Sequence, residues 1–171
     1  RQRQMCIRDS MNPVTSGPKV NESLETNIEG VFACGNVLHV HDLVDFVSEE
    51  AKTAGRNAAE YVKNLQADTD DRDKHSREEA AEIVLNPVEG VRYTVPSTIN
   101  PVHMDENLTV RFRVGGVYKN CYVSAYFDDE RVIHRKRPVV APGEMEEIKL
   151  TKEQLLQYPD LKTITVKIEQ E

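Results

Sequence analysis

The chain has 171 residues, of which 30% are charged and 39% hydrophobic, and its formal net charge is −7. This length suits one domain or two small ones, and the negative charge argues against nucleic acid as a main partner, because phosphate binding needs clustered Lys and Arg. No apolar run approaches the roughly 20 residues of a membrane-spanning helix, and three cysteines without a C-x-x-C pair favour a reducing, cytoplasmic location over a disulfide scaffold.

The N-terminal stretch is predicted to be irregular. Residues 1–10 show no periodicity that continues into the following sequence, so we expect a non-native leader and exclude it from the fold. Residues 12–20 hold two prolines and one glycine, a composition typical of a loop. Regular structure is therefore expected only after this loop.

A short strand and a helix are predicted next. Residues 31–34 are apolar without alternation, which indicates a buried strand of a parallel sheet that ends in a turn at Gly35 and Asn36. Asp42 is the predicted N-cap of the helix. The predicted inner face of this helix carries small and branched side chains at helical spacing: Val44, Val47, Ala51, Ala54, Ala58 and Val62.

The second half of the chain changes in periodicity. Residues 65–84 are rich in acidic and basic side chains and form a predicted linker. Residues 85–171 alternate between apolar and polar side chains, which predicts a small antiparallel β-sandwich, immunoglobulin-like in broad architecture. The predicted strands are 91–95, 108–114, 121–127, 131–136, 146–150 and 163–168, with one or two helical turns at 151–156.

One segment resembles a known family. The run ETNIEGVFACGN at residues 25–36 resembles the T-x-x-x-G-V-F-A-x-G-D strand that closes the flavin domain in the pyridine nucleotide-disulfide oxidoreductase superfamily. The resemblance extends over roughly residues 17–62. It implies that residues 11–64 are the last strand and helix of an FAD-binding Rossmann-like domain.

The resemblance also implies site residues. The position after the turn glycine is usually Asp in the superfamily, where it hydrogen-bonds the ribityl and pyrophosphate portion of FAD, and here it is Asn36. The backbone amides at the start of the helix would face the flavin ring. The implied cofactor-binding residues are Gly35, Asn36, Leu43, Val44 and Asp45.

The departures from the family pattern indicate a fragment. The chain has no G-x-G-x-x-G and no redox C-x-x-C, so no complete dinucleotide phosphate site is expected in it. We expect a C-terminal piece of a flavoenzyme that uses FAD and takes NAD(P) as co-substrate, inactive by itself. Its expected partners are the N-terminal part of the same flavoprotein and an electron-transfer or dehydrogenase subunit.

Other candidate residues and one alternative remain. No catalytic residue is identified, although His39 or His41 could donate a proton near a flavin. These histidines are two residues apart and no third ligand is evident, so no metal site is expected. Cys34 is expected to be a small buried residue. The alternative function is a non-enzymatic interaction module built on the β-sandwich.

Overall fold

The computed structural model describes residues 10–67 and 82–170. The expected leader and most of the expected linker lie outside these residues. The described elements are a 3-10 turn at Gly35–Val37, helix α1 at Val44–Ala67, strands β1 at Ile83–Pro87, β2 at Val91–Val95, β3 at Thr98–Ile99, β4 at Asn107–Val114, β5 at Tyr118–Phe127, β6 at Glu130–Val140 and β7 at Glu146–Thr151, helix α2 at Lys152–Leu156 and strand β8 at Thr163–Gln170.

The strands form two sheets that share one core. The order is β3-β1-β8-β5-β6 in the five-stranded sheet and β2-β4-β7 in the three-stranded sheet. Val110 and Phe112 of β4 and Val123 and Ala125 of β5 are all fully buried in one hydrophobic cluster. Because alternate side chains of a strand point to the same face, the period-two pattern of these strands supplies that cluster.

The sheet pairing differs from the expectation in one place. β5 pairs antiparallel with β6 and β8, which agrees with the antiparallel arrangement expected for this part of the chain, but β1 pairs parallel with β8. β1 was not predicted, since its first half was assigned to the linker. Ile83 and Leu85 are buried and Val84 is exposed, so the strand alternates over too short a run to be separated from the charged segment before it.

The strand expected at residues 31–34 is not formed. Phe32 makes a single antiparallel bridge to Glu25, and residues 31–34 are only partly buried. The amide of Thr26 donates to the carbonyl of Val31 at 2.8 Å. The apolar run therefore closes a short turn on itself, and a Rossmann-like arrangement stays an expectation for this segment.

Helix α1 begins at Val44, one residue later than an Asp42 N-cap predicts, and has a different buried face. The carboxylate of Asp42, the expected N-cap, instead accepts from the Arg113 side chain and from the amide of Met145. On the expected inner face Ala54 is buried, but Val44 is 75% and Val62 is 50% exposed. Ala51 is exposed as well, so the predicted inner face is wrong at both ends and at one position between them.

The N-terminal segment, residues 10–67, packs against the outer face of the three-stranded sheet. A second hydrophobic cluster joins Val20, Leu24, Leu38 and Ala54 to residues of β2. The amide of residue 97 donates to the carbonyl of Val20 at 2.8 Å. Independent folding of residues 85–171 stays a prediction, but this contact means that their separation from the N-terminal segment would expose apolar surface.

Candidate functional site

A buried carboxylate at the contact between α1 and the β-sheet collects four donors. Glu50 is 4% exposed. Its Oε2 accepts from the amide of Gly35 at 2.9 Å and lies 2.9 Å from His41 Nε2. Its Oε1 lies 3.2 Å from His39 Nε2 and 3.5 Å from Arg111 Nη1. We call these five residues the Glu50 cluster.

The loop of residues 35–41 is shaped so that its donors point at Glu50. Gly35 has a φ of +69°, and a Cβ there would lie 3.1 Å from Val47 of the helix, so a side chain would be strained both sterically and in its backbone. Leu38 is 1% exposed and anchors the loop in the second hydrophobic cluster. The side-chain oxygen of Asn36 accepts from the amide of His41 at 3.2 Å.

Arg111 connects the cluster to the β-sheet. It was expected on the polar face of β4, yet it is only 9% exposed. Its Nη2 donates to Glu49 at 2.8 Å, and its guanidinium lies 5.1 Å from the centre of the Phe46 ring. The outer face of the three-stranded sheet is therefore a buried surface with charged groups in it, and only tertiary contact makes this possible.

The burial of the cluster shifts its ionisation. Burial acts to raise the pKa of Glu50, but hydrogen bonds from His39 and the Gly35 amide outweigh it and lower the pKa overall. Burial lowers the pKa of His41, with Glu50 acting in the opposite direction. These directions favour a negative carboxylate facing a neutral His41 imidazole.

The imidazoles leave two polar atoms without partners. A carboxylate is only an acceptor, so each Nε2 facing Glu50 is assigned the hydrogen. In the neutral tautomer Nδ1 then carries a lone pair. Among the described residues, neither His39 Nδ1 nor His41 Nδ1 has a hydrogen-bond partner, and both atoms are buried.

A cleft of about 550 Å³ lies beside the cluster, and Glu49, Glu50 and Arg111 form part of its wall. A second buried carboxylate, Glu22, is also in the wall, and it accepts from the amide of Asn100 at 2.8 Å. Burial raises the pKa of Glu22. The cleft wall is mixed, with these charged groups beside apolar side chains such as Leu24 and Met104.

The expected cofactor-binding residues lie together at the junction of the 3-10 turn and α1. Gly35 is buried, whereas Asn36, Leu43, Val44 and Asp45 are exposed. Their neighbours Val37 and Val40 are 54% and 67% exposed. The junction therefore presents apolar side chains, the Asn36 amide and the Asp45 carboxylate to solvent.

Two further expectations concern the burial of Cys34 and the absence of a membrane-spanning helix. Cys34 is partly exposed, not buried as expected, because the strand that would have enclosed it is not formed. Within the described residues, neither helix has the length and apolar character needed to cross a membrane.

Glu50 is the residue that the sequence analysis missed. The sequence shows no third metal ligand near His39 and His41, so it predicts no metal site. In the structure Glu50 supplies a third ligand. A signal was present: Glu50 follows Val47 by three residues and precedes Ala54 by four, so helical spacing places it on the same face.

Comparisons of the chain with protein-family models, with curated proteins and with solved structures give no significant match.

Proposed function

We propose that the chain is the C-terminal part of an FAD-dependent oxidoreductase that moves hydride or electrons between NAD(P)H and an acceptor. The observation that carries this proposal is the exposed junction at the start of α1. There, Asn36, Leu43, Val44 and Asp45 are all exposed on one continuous loop and helix start. These are four of the five residues that the family resemblance implies for flavin contact.

The chemistry of the junction suits a flavin. The N-terminus of a helix carries partial positive charge and amides without intrahelical acceptors, which favours an electron-rich ring carbonyl. Exposed valine and leucine side chains offer an apolar surface for the ring. The oxygen of Asn36 is bound by the His41 amide, so its NH₂ group is the one that would donate to the pyrophosphate.

In this proposal residues 82–170, the β region, serve as a docking unit. It packs on the N-terminal segment through the outer face of β2 and β4, with Arg111 on Glu49 and Arg113 on Asp42. The β region holds the flavin-contacting segment in position, and it is also a docking surface for an electron-transfer or dehydrogenase subunit. A binding module without enzymatic activity is the alternative.

We also propose that the two sheets are immunoglobulin-like. The order β2-β4-β7 corresponds to strands A-B-E of that architecture, and β8-β5-β6 corresponds to F-C-C′. β1 then occupies the position of strand G. Its parallel pairing with β8 departs from that architecture, whose sheets are antiparallel.

The test is flavin binding with and without the upstream coding sequence. The 171-residue chain alone should not retain FAD after dialysis, because it lacks a G-x-G-x-x-G phosphate cradle. A protein extended by the upstream sequence should show the flavin absorbance bands. A flavin-free extended protein, or a stoichiometric yellow protein from the chain alone, would overturn the proposal.

Asn36→Leu in the extended protein should weaken FAD binding about tenfold or more, since an unpaired polar group costs about 1–3 kcal/mol. Asn64→Leu is the matched control, because Asn64 is exposed near the other end of α1. The readout is the FAD dissociation constant from flavin fluorescence. Equal constants for the two variants would place Asn36 outside the site.

A further inference from the structure

The Glu50 cluster contains a complete set of metal-ligand types. One ligand atom from each of His39, His41 and Glu50 can be chosen so that all lie within 4.8 Å of one another. The histidine Nε2 atoms lie 3.2 and 2.9 Å from the carboxylate oxygens. Ligand atoms around a tetrahedral ion with bonds of about 2.0–2.2 Å lie about 3.3 Å apart, so the side chains need to move little.

The environment of the two histidine rings is compatible with ligation through Nε2. Both side chains are 1% exposed, and neither Nδ1 has a partner among the described residues. Buried polar atoms are nearly always hydrogen-bonded. An ion bound at Nε2 takes that atom's lone pair, so each ring hydrogen then sits on Nδ1. In these two adjacent rings, whose centroids are 4.4 Å apart, no described residue donates to either Nδ1 and so none opposes that tautomer.

The surroundings of the cluster match those of a metal site. Ligating carboxylates are themselves held by outer hydrogen bonds, and here the Gly35 amide and Arg111 hold Glu50. The positive charge of Arg111 would oppose a cation, but Glu49 pairs with it at 2.8 Å. The local charge therefore does not exclude a divalent ion.

We propose that His39, His41 and Glu50 form a binding site for one divalent transition-metal ion, of which Zn²⁺ is the best match. Two imidazoles and one carboxylate are a ligand set of zinc sites and of non-haem iron sites. The ion ties the loop of residues 35–41 to α1. Three protein ligands leave a coordination position open to water or to a ligand. Glu50 also lines the cleft of about 550 Å³ beside the cluster.

The experiment uses the tag-free 171-residue chain. The protein is unfolded in guanidinium with EDTA, refolded with Zn²⁺ or Co²⁺, passed over a desalting column and analysed by mass spectrometry for bound metal. We expect one ion per chain and the visible absorption of a tetrahedral or five-coordinate Co²⁺ centre. Refolded protein that holds no metal would overturn the proposal.

Variants locate the site. His39→Ala and His41→Ala should weaken metal binding by at least about tenfold to 100-fold, the range seen when even an outer partner of a metal ligand is removed. His134→Ala is the control, because His134 lies on β6 beside Ser124 and Glu169. Glu50→Gln keeps an acceptor for the Gly35 amide but loses the charge, so it should fold and bind weakly. Equal binding by all four variants would place the ion elsewhere.

The test is independent of the proposed oxidoreductase function. The chain alone is not expected to hold FAD, so metal content is measured without any flavin. If the chain binds metal and its extended form lacks flavin, the metal site stands and the oxidoreductase proposal fails. If the chain binds no metal and its extended form holds flavin, the metal site fails and the oxidoreductase proposal stands.

Discussion

The N-terminal segment at residues 10–67 and the β region at residues 82–170 are held together by different kinds of contact. The β region has its own cluster of 20 buried residues, drawn from both sheets. The N-terminal segment supplies four residues to a second cluster of six, and Tyr93 and Val95 of β2 supply the rest. The remainder of its anchoring is polar: Glu50 with Arg111, Asp42 with Arg113, and Glu22 with the amide of residue 100.

This difference indicates that order in the N-terminal segment depends on the β region. A sheet with alternating side chains buries its own apolar face, whereas a segment with few large apolar residues needs an outside surface. That surface is the outer face of the three-stranded sheet. This dependence can be tested by cutting the chain, by weakening the core of the β region, or by removing one buried charge.

Cutting the chain should give the largest effect. A piece spanning residues 82–171 should fold cooperatively, because its 20-residue cluster is self-contained. A piece spanning residues 10–67 should not, because burial of about 1.5–3 kcal/mol for each large apolar side chain cannot offset the entropy of ordering that length of chain. Circular dichroism with urea unfolding gives the measurement.

Limited proteolysis of the intact chain gives a second view of the same division. We expect the first cuts between residues 66 and 77, within the charged segment, and a resistant C-terminal fragment. Uniform digestion, or a resistant fragment from the N-terminal side, would contradict the expected division into domains.

Phe112→Ala should destabilise the β region by about 3–5 kcal/mol, the range for removing a buried aromatic side chain. Phe112 is 0% exposed and lies in the shared core. The matched control is Val44→Ala on α1, because Val44 is 75% exposed and surface changes are usually within about 0.5 kcal/mol. A small loss of stability at Phe112 would mean that the core is less tightly packed than its burial indicates.

Glu50→Leu, measured with EDTA present, should destabilise the contact between the two regions by about 3–5 kcal/mol. The substitution leaves Arg111 as a buried charge with one partner fewer, and it leaves the Gly35 amide unpaired. Hydrogen exchange should rise in residues 35–67 more than in β5 and β8. An equal rise in both regions would contradict the view that Glu50 acts locally.

The sequence predicts the β region better than the N-terminal segment, for a physical reason. β2, β4, β5, β7 and β8 were predicted within a few residues, as was the Thr151-capped helix α2, because their period-two pattern is itself the pattern of burial. β3 was missed because it has two residues, too few to show a period. β6 was predicted shorter than the observed strand Glu130–Val140.

The Glu50 cluster could not be predicted in the same way. Hydrophobic periodicity assigns an acidic residue on a helix to solvent, and here four donors from two parts of the chain, the loop of residues 35–41 and β4, reverse that assignment. Arg111 shows the same effect on β4, where alternation placed it outside. Buried charge depends on which partners the tertiary fold brings together, and that information lies beyond any local pattern.

The smallest expected effect is a loss of acid stability through Glu169 on β8. Its carboxylate accepts from Ser124 at 2.5 Å and from Tyr126 at 2.8 Å, with Lys167 at 3.2 Å. The hydrogen bond from Ser124, together with those from Tyr126 and Lys167, lowers the pKa of Glu169 from 4.5 to about 2. Because the folded-state pKa lies below the unfolded value, the stabilisation is present above pH 4.5 and is lost as the pH falls towards 2.

Glu169→Gln should therefore lower stability at pH 7 and remove part of the decline in stability between pH 4.5 and 2. Glu169 is partly exposed, at 20%, and solvent screening keeps the expected difference at about 1 kcal/mol or less. Urea midpoints of wild type and variant across this range give the measurement, with the exposed Glu144→Gln as control. Parallel pH profiles for Glu169→Gln and wild type would show that these hydrogen bonds do not stabilise the charged form, and would leave apolar burial as the main source of stability in the β region.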